Sequence, residues 1–587
     1  MELNILNKVN SPSDLKKLNR EELNLLSDEI RYAIINRVSK VGGHFGPNLG
    51  IVEATIALHY VFNSPTDKIV YDVSHQSYPH KILTGRKHGF LDSNEFKNIT
   101  GYTCQHESEH DFFIVGHTST SISWACGLAK AWDIKGTKEN IIAVIGDGSL
   151  SGGQAFEGLN NASASGKNII ILVNDNGMSI AENYGGLYQN LAKLRETDGK
   201  YENNFFKSFG FDYHYIKDGN NIDSLIEVFS KIKDSEHPVV VHMNTLKGKG
   251  YEDAEVQKEN FHWVAPFDLE TKKPLNGVTC ETYTQITDNF LCEKAAQDKR
   301  IIAMTAGTPK KAGLNVFREK ALNQFLDVGI AEEYAVSFAS SMASQGGKPI
   351  LLLASSFIQR AYDQLSQDLA INNNPALILV YDTGISSMDA THLGVFDIPL
   401  ISNIPNIVYL APTNKEEYLA MIEWGLQQDK HPVVIRIPGN AVVSTKETIE
   451  ADFYNLNTYK KINEGSEIAV LGLGSFFELG KKVQAKLKEE LNIDATLINP
   501  RFISGVDEDM LNGLLENHKL VITLEDGVLD GGFGEKISRF YSDKDIKVLN
   551  FGAKKEFTNK VDINELYNRY HLTDKLIVED IKSVLCK

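Results

Sequence analysis

The stretch from Ala143 to Met178 constrains the fold more than any other part of this chain. The apolar run Ile141–Ile145 ends in Gly146-Asp147-Gly148. A segment of helical period follows, with its N-terminus after Ser151 and with Ala155, Phe156, Leu159 and Ala162 expected on one face. A second apolar run, Ile169–Val173, ends in Asn174-Asp175-Asn176. Strand, helix and strand in this order predict two parallel strands whose polar ends share one edge of a sheet.

The pattern resembles the GDG…N motif of thiamine-diphosphate enzymes, and the chemistry of the residues fits. A diphosphate-bound Mg²⁺ takes near-octahedral oxygen ligands, few of them from protein. Asp147 offers a carboxylate, Asn176 an amide oxygen, and Met178 a backbone carbonyl. Gly146 and Gly148 let backbone approach phosphates, and the helix start after Ser151 favours anions.

The 587 residues exceed a single core and suggest three or four domains. A net charge of −17, from 60 Lys and Arg against 77 Asp and Glu, argues against nucleic acid or an anionic membrane as the main partner. Cys104, Cys126, Cys280, Cys292 and Cys586 are scattered without metal-site or redox spacing, as in a protein with reduced thiols. No apolar run reaches membrane-spanning length, and Met1-Glu2-Leu3-Asn4 does not open a signal pattern, so a soluble cytoplasmic protein is expected.

Residues 1–40 read as helical. Gly42 to Gly50 reads as a loop too rich in glycine for a helix, and Ile51–Val61 as a helix. Ile69–Val73 reads as a strand that runs into Ser74-His75-Gln76-Ser77-Tyr78-Pro79-His80-Lys81. Residues 264–280, with Pro266, Pro274 and Gly277, read as an interdomain linker. Further strands are expected at Val239–Met243, Phe325–Gly329, Ile350–Leu353, Ala376–Tyr381, Ile468–Leu471, Ala495–Ile498 and Val521–Leu524.

Three runs carry a closer resemblance: Gly42-Gly43-His44-Phe45-Gly46, the run Asp72 to Arg86, and Gly116-His117-Thr118-Ser119-Thr120-Ser121. With Lys247-Gly248-Lys249-Gly250, Phe261-His262-Trp263 and Ile330-Ala331-Glu332-Glu333 they are similar to the 1-deoxy-D-xylulose-5-phosphate synthase family, a branch of the transketolases. The resemblance runs from Ser11 to about Asp530. It implies an α/β chain of three domains, at 1–275, 282–450 and 452–587, each a mainly parallel sheet flanked by helices. It also implies a homodimer, and thiamine diphosphate with Mg²⁺ as cofactors, held between the first two domains of one subunit. The implied reaction decarboxylates pyruvate and joins the two-carbon unit to glyceraldehyde 3-phosphate, a step of isoprene biosynthesis.

The resemblance assigns roles residue by residue. Asp147, Asn176 and Met178 would hold the metal; His75, Gly116, Thr118, Gly148, Ser149, Lys247, Phe357 and Arg360 would line the cofactor. Glu332 would bond the pyrimidine N1′ with a raised pKa; read alone, it is a helix-start carboxylate complementing the dipole. Phe357 would stack on the pyrimidine, though unaided it reads as core. His44, His75 and His262 would handle protons, and His392 with Asp389 would lie at the substrate end.

The chain departs from the family in two places. A longer family segment after Leu187 is shortened here. The family also holds its acceptor phosphate with an arginine in D-R-A-G and a second in R-Y-P-R-G; here Asp382 stands at the first position and the second is missing after Pro438. A family tyrosine is replaced by Ala354. Placing an anion where a cation met phosphate would shift the interaction by roughly 4 kcal/mol per charge pair at ~4 Å and an effective dielectric of ~20. Arg360, Arg436 or Lys247 could substitute. Four readings follow: the family synthase; a paralogue with the same pyruvate chemistry and another, unphosphorylated or cationic, aldehyde; an acetyl-transferring 2-oxo acid dehydrogenase component; and a catalytically dead binding protein.

Overall fold

A computed structural model describes residues 3–165, 168–275, 280–439, 441–449 and 452–585. Gly277, Cys586 and the boundary near residue 450 lie outside the described residues. The chain forms two compact units, 1–279 with 329–331, and 280–328 with 332–587.

The first unit is built on a five-stranded sheet in the order Lys68–Tyr71, Ile141–Gly146, Ile169–Asp175, Val239–Asn244, Asp212–Ile216. Every pairing is parallel. Its strands are continuous apolar runs because both faces are covered. Ile142, Val144, Ile170 and Leu172 enter one core with Leu58, Phe62 and Phe229, while Ile141, Ala143, Ile145 and Ile171 enter the other with Ile122, Leu159 and Leu194. Parallel alignment places Gly146 beside Asn174, so Asp147 and Asn176 emerge at the same sheet edge.

Four local expectations are corrected. The helix Gly153–Ser163 buries Ala155, Gly158, Leu159 and Ala162, whereas Phe156 is turned outward against Phe205, ring centroids 5.7 Å apart. Gly158 rather than an aromatic completes the buried face because Ile122 packs against it; an added Cβ would lie 3.0 Å from the Ile122 Cβ. Residues Gly46–Gly50 are helical, with Pro47 in the first turn. Gly50 serves close packing: an added Cβ would lie 2.8 Å from the Leu246 carbonyl oxygen. The strand expected to reach Val73 ends at Tyr71, and Val73 and Ser74 adopt left-handed backbone, φ 57° and 61°. Asp72, fully buried, holds that bend by accepting from the amides of Ser119 (2.7 Å) and Ser121 (3.0 Å). The start of the expected linker belongs to the first unit: Trp263–Val264 pairs antiparallel with Gly43–His44, and buried Phe267 donates its amide to Ser39.

The second unit contains two sheets. One is all parallel, in the order Val408–Leu410, Val433–Arg436, Leu377–Tyr381, Lys348–Ala354, Ile301–Thr305, Phe325–Asp327. The other runs Lys460–Asn463, Thr496–Asn499, Glu467–Gly472, His518–Val528, Lys547–Ala553, with only the first strand antiparallel. This mixed α/β architecture of mainly parallel sheets flanked by helices agrees with the fold class expected from the sequence. A capping box between Thr282 and Gln285 starts the helix Tyr283–Gln297. Among the described residues, no helix is long and apolar enough to cross a membrane.

Candidate active site

In the first unit, Asp147 and Asn176 stand at the ends of neighbouring strands, as parallel alignment requires. Asp147 is 1 % exposed. Burial first, and the Asp175 charge second, push its carboxyl well above the usual carboxylate range. Its Oδ2 accepts from Asn183 Nδ2 at 2.7 Å. The Asn176 Oδ1 is shielded from solvent and has no hydrogen-bond partner. A buried carboxylate lacking full compensation and an unsatisfied amide oxygen are donors suited to a hard cation. Among the described residues no cluster of three His, Cys, Asp or Glu could hold a metal. A cation here would therefore draw on Asp147, an amide and backbone carbonyls.

The loop Gly116–Thr118 is tied to this end. Ser119, next in the chain, donates its amide to Asp72 and its hydroxyl to the carbonyl of Ser149. Gly148 admits no side chain, since a Cβ would meet Ser179 Cα at 2.8 Å.

Three histidines, the outer two more than two hundred residues apart in the chain, converge. Ring centroids lie 5.3 Å apart for His44 and His75, 5.6 Å for His44 and His262, and 5.4 Å for His75 and His262, the last pair stacked. The short Gly43–His44 to Trp263–Val264 pairing brings two of them together. Asn48 joins the other loop: its Nδ2 donates to the carbonyls of His44 (2.9 Å) and His75 (2.7 Å), and its Oδ1 accepts from the Tyr78 amide. Burial, then the Lys247 charge, lowers His75 to about 3 and puts His262 well below its ordinary value. Both rings are neutral at pH 7 and can accept or pass a proton. Lys247, 2 % exposed, donates to the Ser179 carbonyl at 2.6 Å and lies 3.2 Å from His262 Nδ1. Burial lowers it to about 8 despite the pull of Asp147.

In the second unit, Glu332 opens the helix Glu332–Ser344 and is 4 % exposed. Burial raises its carboxyl, opposed by Arg360, whose Nη1 lies 3.5 Å from Oε2. Phe357 stands edge-on to His392, centroids 5.7 Å apart. The His392 loop is closed by the Gly384 amide on the Gly394 carbonyl and pinned by the Ser355 hydroxyl on the same oxygen. Asp389, three residues before His392, lies 3.4 Å from Lys560 Nζ.

Comparison with known proteins decides the family. A family model described as 1-deoxy-D-xylulose-5-phosphate synthase matches residues 6–204 and 197–245. The transketolase pyrimidine binding domain matches 281–443, and the transketolase C-terminal domain 458–577. The chain is 39 % identical to a 1-deoxy-D-xylulose-5-phosphate synthase of Alkaliphilus oremlandii, covering 98 % of each chain. It is equally 39 % identical, at 98 % coverage of each, to the synthase of Caldanaerobacter subterraneus subsp. tengcongensis. A solved transketolase from Pichia stipitis superposes with a TM-score of 0.45 at 14 % identity, covering 94 % of this chain and 96 % of that one. This chain belongs to the 1-deoxy-D-xylulose-5-phosphate synthase family.

It is thus an enzyme, a transketolase-type transferase of a thiamine-diphosphate-dependent family. The synthase family model splits its match near residue 200, close behind the segment that the sequence shows to be shortened. The loops that carry the synthase family's arginines touch each other here: Thr383 Oγ1 donates to the Ile437 carbonyl at 2.9 Å. Asp382 is half-exposed and paired with Lys311 at 2.5 Å. Its charge is therefore already met, which corrects the full repulsion argued from the sequence. Arg436, expected as a substitute cation, is consumed: it is buried, with Nε 2.6 Å from Asp397 Oδ2 and Nη1 2.5 Å from Asp526 Oδ1. Arg360 faces Glu332, and Lys247 belongs to the histidine cluster of the first unit.

Sequence reading missed Asn48, Asp72, Asn183, Lys311 and the Asp175–His242–Arg195 cluster. Asp175 is fully buried; burial raises its carboxyl, but His242 (2.7 Å) and Arg195 (2.5 Å) hold it at about 2. Asp175 sits inside the recognised motif, but nothing in the spacing pointed to His242 or Arg195 as its partners.

Proposed function

We propose that this chain decarboxylates pyruvate and transfers the two-carbon unit to an aldehyde, with thiamine diphosphate and Mg²⁺ as cofactors. The observation that carries this reading is the placing of buried Asp147 and the shielded, unpartnered Asn176 Oδ1 at adjacent strand ends within the same unit as three converging histidines. When bound, the thiazolium ring supplies the carbon nucleophile and electron sink. Asp147, Asn176 and the Met178 carbonyl would hold the cation, and Gly148 and Ser149 would offer backbone to the diphosphate with Gly116 and Thr118. Glu332, kept protonatable by burial, would share a proton with the pyrimidine N1′. Phe357 would pack on that ring, and Arg360, 3.5 Å from Glu332, would set that carboxylate's orientation. His44, His75 and His262 would accept and return protons at the substrate oxygens, while burial first, and Lys247 second, keeps His75 and His262 neutral. Asp382, Asp389 and His392 face the acceptor.

The domains are proposed at 1–275, 282–450 and 452–587, in line with family matches ending at 245, spanning 281–443 and starting at 458. A cytoplasmic homodimer is proposed from the family resemblance, with four described cysteines present as free thiols in support.

A second reading concerns the acceptor. The Lys311–Asp382 pair and the commitment of Arg436 to Asp397 and Asp526 favour an aldehyde without a phosphate. The test is CO₂ release from pyruvate by the purified protein with thiamine diphosphate and Mg²⁺, in the presence of glyceraldehyde 3-phosphate or of glyceraldehyde. Stimulation by the phosphorylated aldehyde alone assigns the family reaction. Stimulation by glyceraldehyde alone assigns the altered acceptor. No release with either refutes the pyruvate chemistry.

A further inference from the structure

Three polar contacts from one short segment reach both loops of the cation site. Asn183 Nδ2 donates to Asp147 Oδ2 at 2.7 Å. The Tyr188 hydroxyl donates to the Gly148 carbonyl at 3.1 Å. Arg195 Nη1 donates to Asp175 Oδ2 at 2.5 Å. Asp175 in turn closes the turn that presents Asn176 and Met178, because its Oδ1 accepts from the Gly177 amide at 3.0 Å.

Tyr188 and Arg195 lie on the helix Gly186–Glu196, which buries Tyr188, Leu191 and Leu194 in the core that also holds Ile145, Ile171 and Val173. The helix is therefore anchored to the strands that end in the two loops. Spacings of three and four residues put Tyr188, Leu191 and Arg195 on one face, so packing and polar contacts are made together. On the other side, His242 Nε2 bonds Asp175 at 2.7 Å, and the Tyr213 hydroxyl bonds His242 Nδ1 at 2.9 Å. That pattern places the histidine proton on Nε2. Asp175 is thus fixed from two directions, by Arg195 on one side and His242 on the other.

We propose that residues 183–195 form a clamp on the cation site, in which Asn183, Tyr188 and Arg195 are positioning residues. The clamp rests on the reading that Asp147, Asn176 and Met178 hold the cation. Asn183 orients the carboxylate, Tyr188 holds the Gly148 turn, and Arg195 holds the Asn176–Met178 turn. Groups behind metal ligands typically change metal affinity by about 10–100-fold when removed.

The experiment is a Mn²⁺ titration of the full chain with thiamine diphosphate, followed by the electron paramagnetic resonance signal of free Mn²⁺. Asn183→Ala and Arg195→Met are expected to weaken Mn²⁺ binding about 10–100-fold, with Arg195→Lys recovering part of the loss. Thermal melting of the cofactor-free variants separates this from unfolding. Tyr188→Phe deletes a single hydroxyl and keeps the test available should Arg195→Met fail to fold; it is expected to weaken Mn²⁺ binding severalfold. Asp147→Asn is the control for the underlying reading. If wild type binds Mn²⁺ and Asp147→Asn does not, while the clamp variants that fold stay within twofold of wild type, the clamp is refuted and the cation site stands. If Asp147→Asn binds as wild type does, or wild type binds no Mn²⁺, both fall.

Discussion

Acidification tests the histidine cluster most directly. The His75 Nδ1 is shielded from solvent and unpartnered, and burial together with Lys247 lowers the ring's pKa from the ordinary 6.5 to about 3. Between those two values the unfolded chain binds a proton that the folded chain does not. Stability therefore rises with pH through that window and falls as the solution is acidified. At about pH 5, some 1.5 pH units below the unfolded value, the loss from His75 alone is about 2 kcal/mol, at ~1.36 kcal/mol per unit. His262 adds to it in the same direction, for the same reason. Urea unfolding at about pH 7 and pH 5, followed by tryptophan fluorescence, reads the first unit through Trp124, Trp132 and Trp263, three of the four tryptophans. His75→Asn is expected to remove about 2 kcal/mol of the difference between the two conditions. Equal pH dependence in variant and wild type refutes the reasoning, as does a His75 resonance that titrates near 6.5 by NMR.

Arg436→Met strands the Asp397 and Asp526 carboxylates and is expected to destabilise the second unit by ~3–5 kcal/mol in urea unfolding read through Trp424. An unshifted midpoint contradicts it. Asp382→Asn frees Lys311, and KM for glyceraldehyde 3-phosphate should fall about fivefold, the worth of ~1 kcal/mol at an exposed pair, with KM for glyceraldehyde unmoved. Equal changes for both aldehydes place Asp382 away from the acceptor phosphate. Glu332→Gln removes the protonatable group at N1′. Deuterium exchange at the thiamine C2, followed by proton NMR, should slow by roughly 10²–10⁴-fold while the cofactor still binds.

Much of the cation end was readable from residue order. Two apolar runs ending in Asp147 and Asn176 imply parallel strands, and parallel register puts both ends on one edge. The alternation of Ile141 to Ile145 between two cores is equally a property of strand geometry. The strand Asp212–Ile216 was missed because Asp212, Tyr213, His214 and Tyr215 are polar or amphipathic at the sheet's rim, only the last residue being buried. Lys460–Asn463, an exposed edge strand, was missed for the same reason. Gly46–Gly50 was misread because glycine signals both flexible loops and close packing, and only the neighbouring Leu246 carbonyl distinguishes them.

Local order in the chain determined what could be read without coordinates: the parallel α/β architecture, the motif residues, and the departure at Asp382. Tertiary structure alone decided which charges are free. Arg436 and Lys311 are both cations near altered loops, yet one is locked between Asp397 and Asp526 and the other meets Asp382 at the surface. It alone revealed that Asn183 and Arg195 reach Asp147 and Asp175, and that His75 and His262 are dry enough to stay neutral. The physical reason is the same in each case. Pairing and desolvation depend on groups brought close by folding, and their separation along the chain carries no record of that distance.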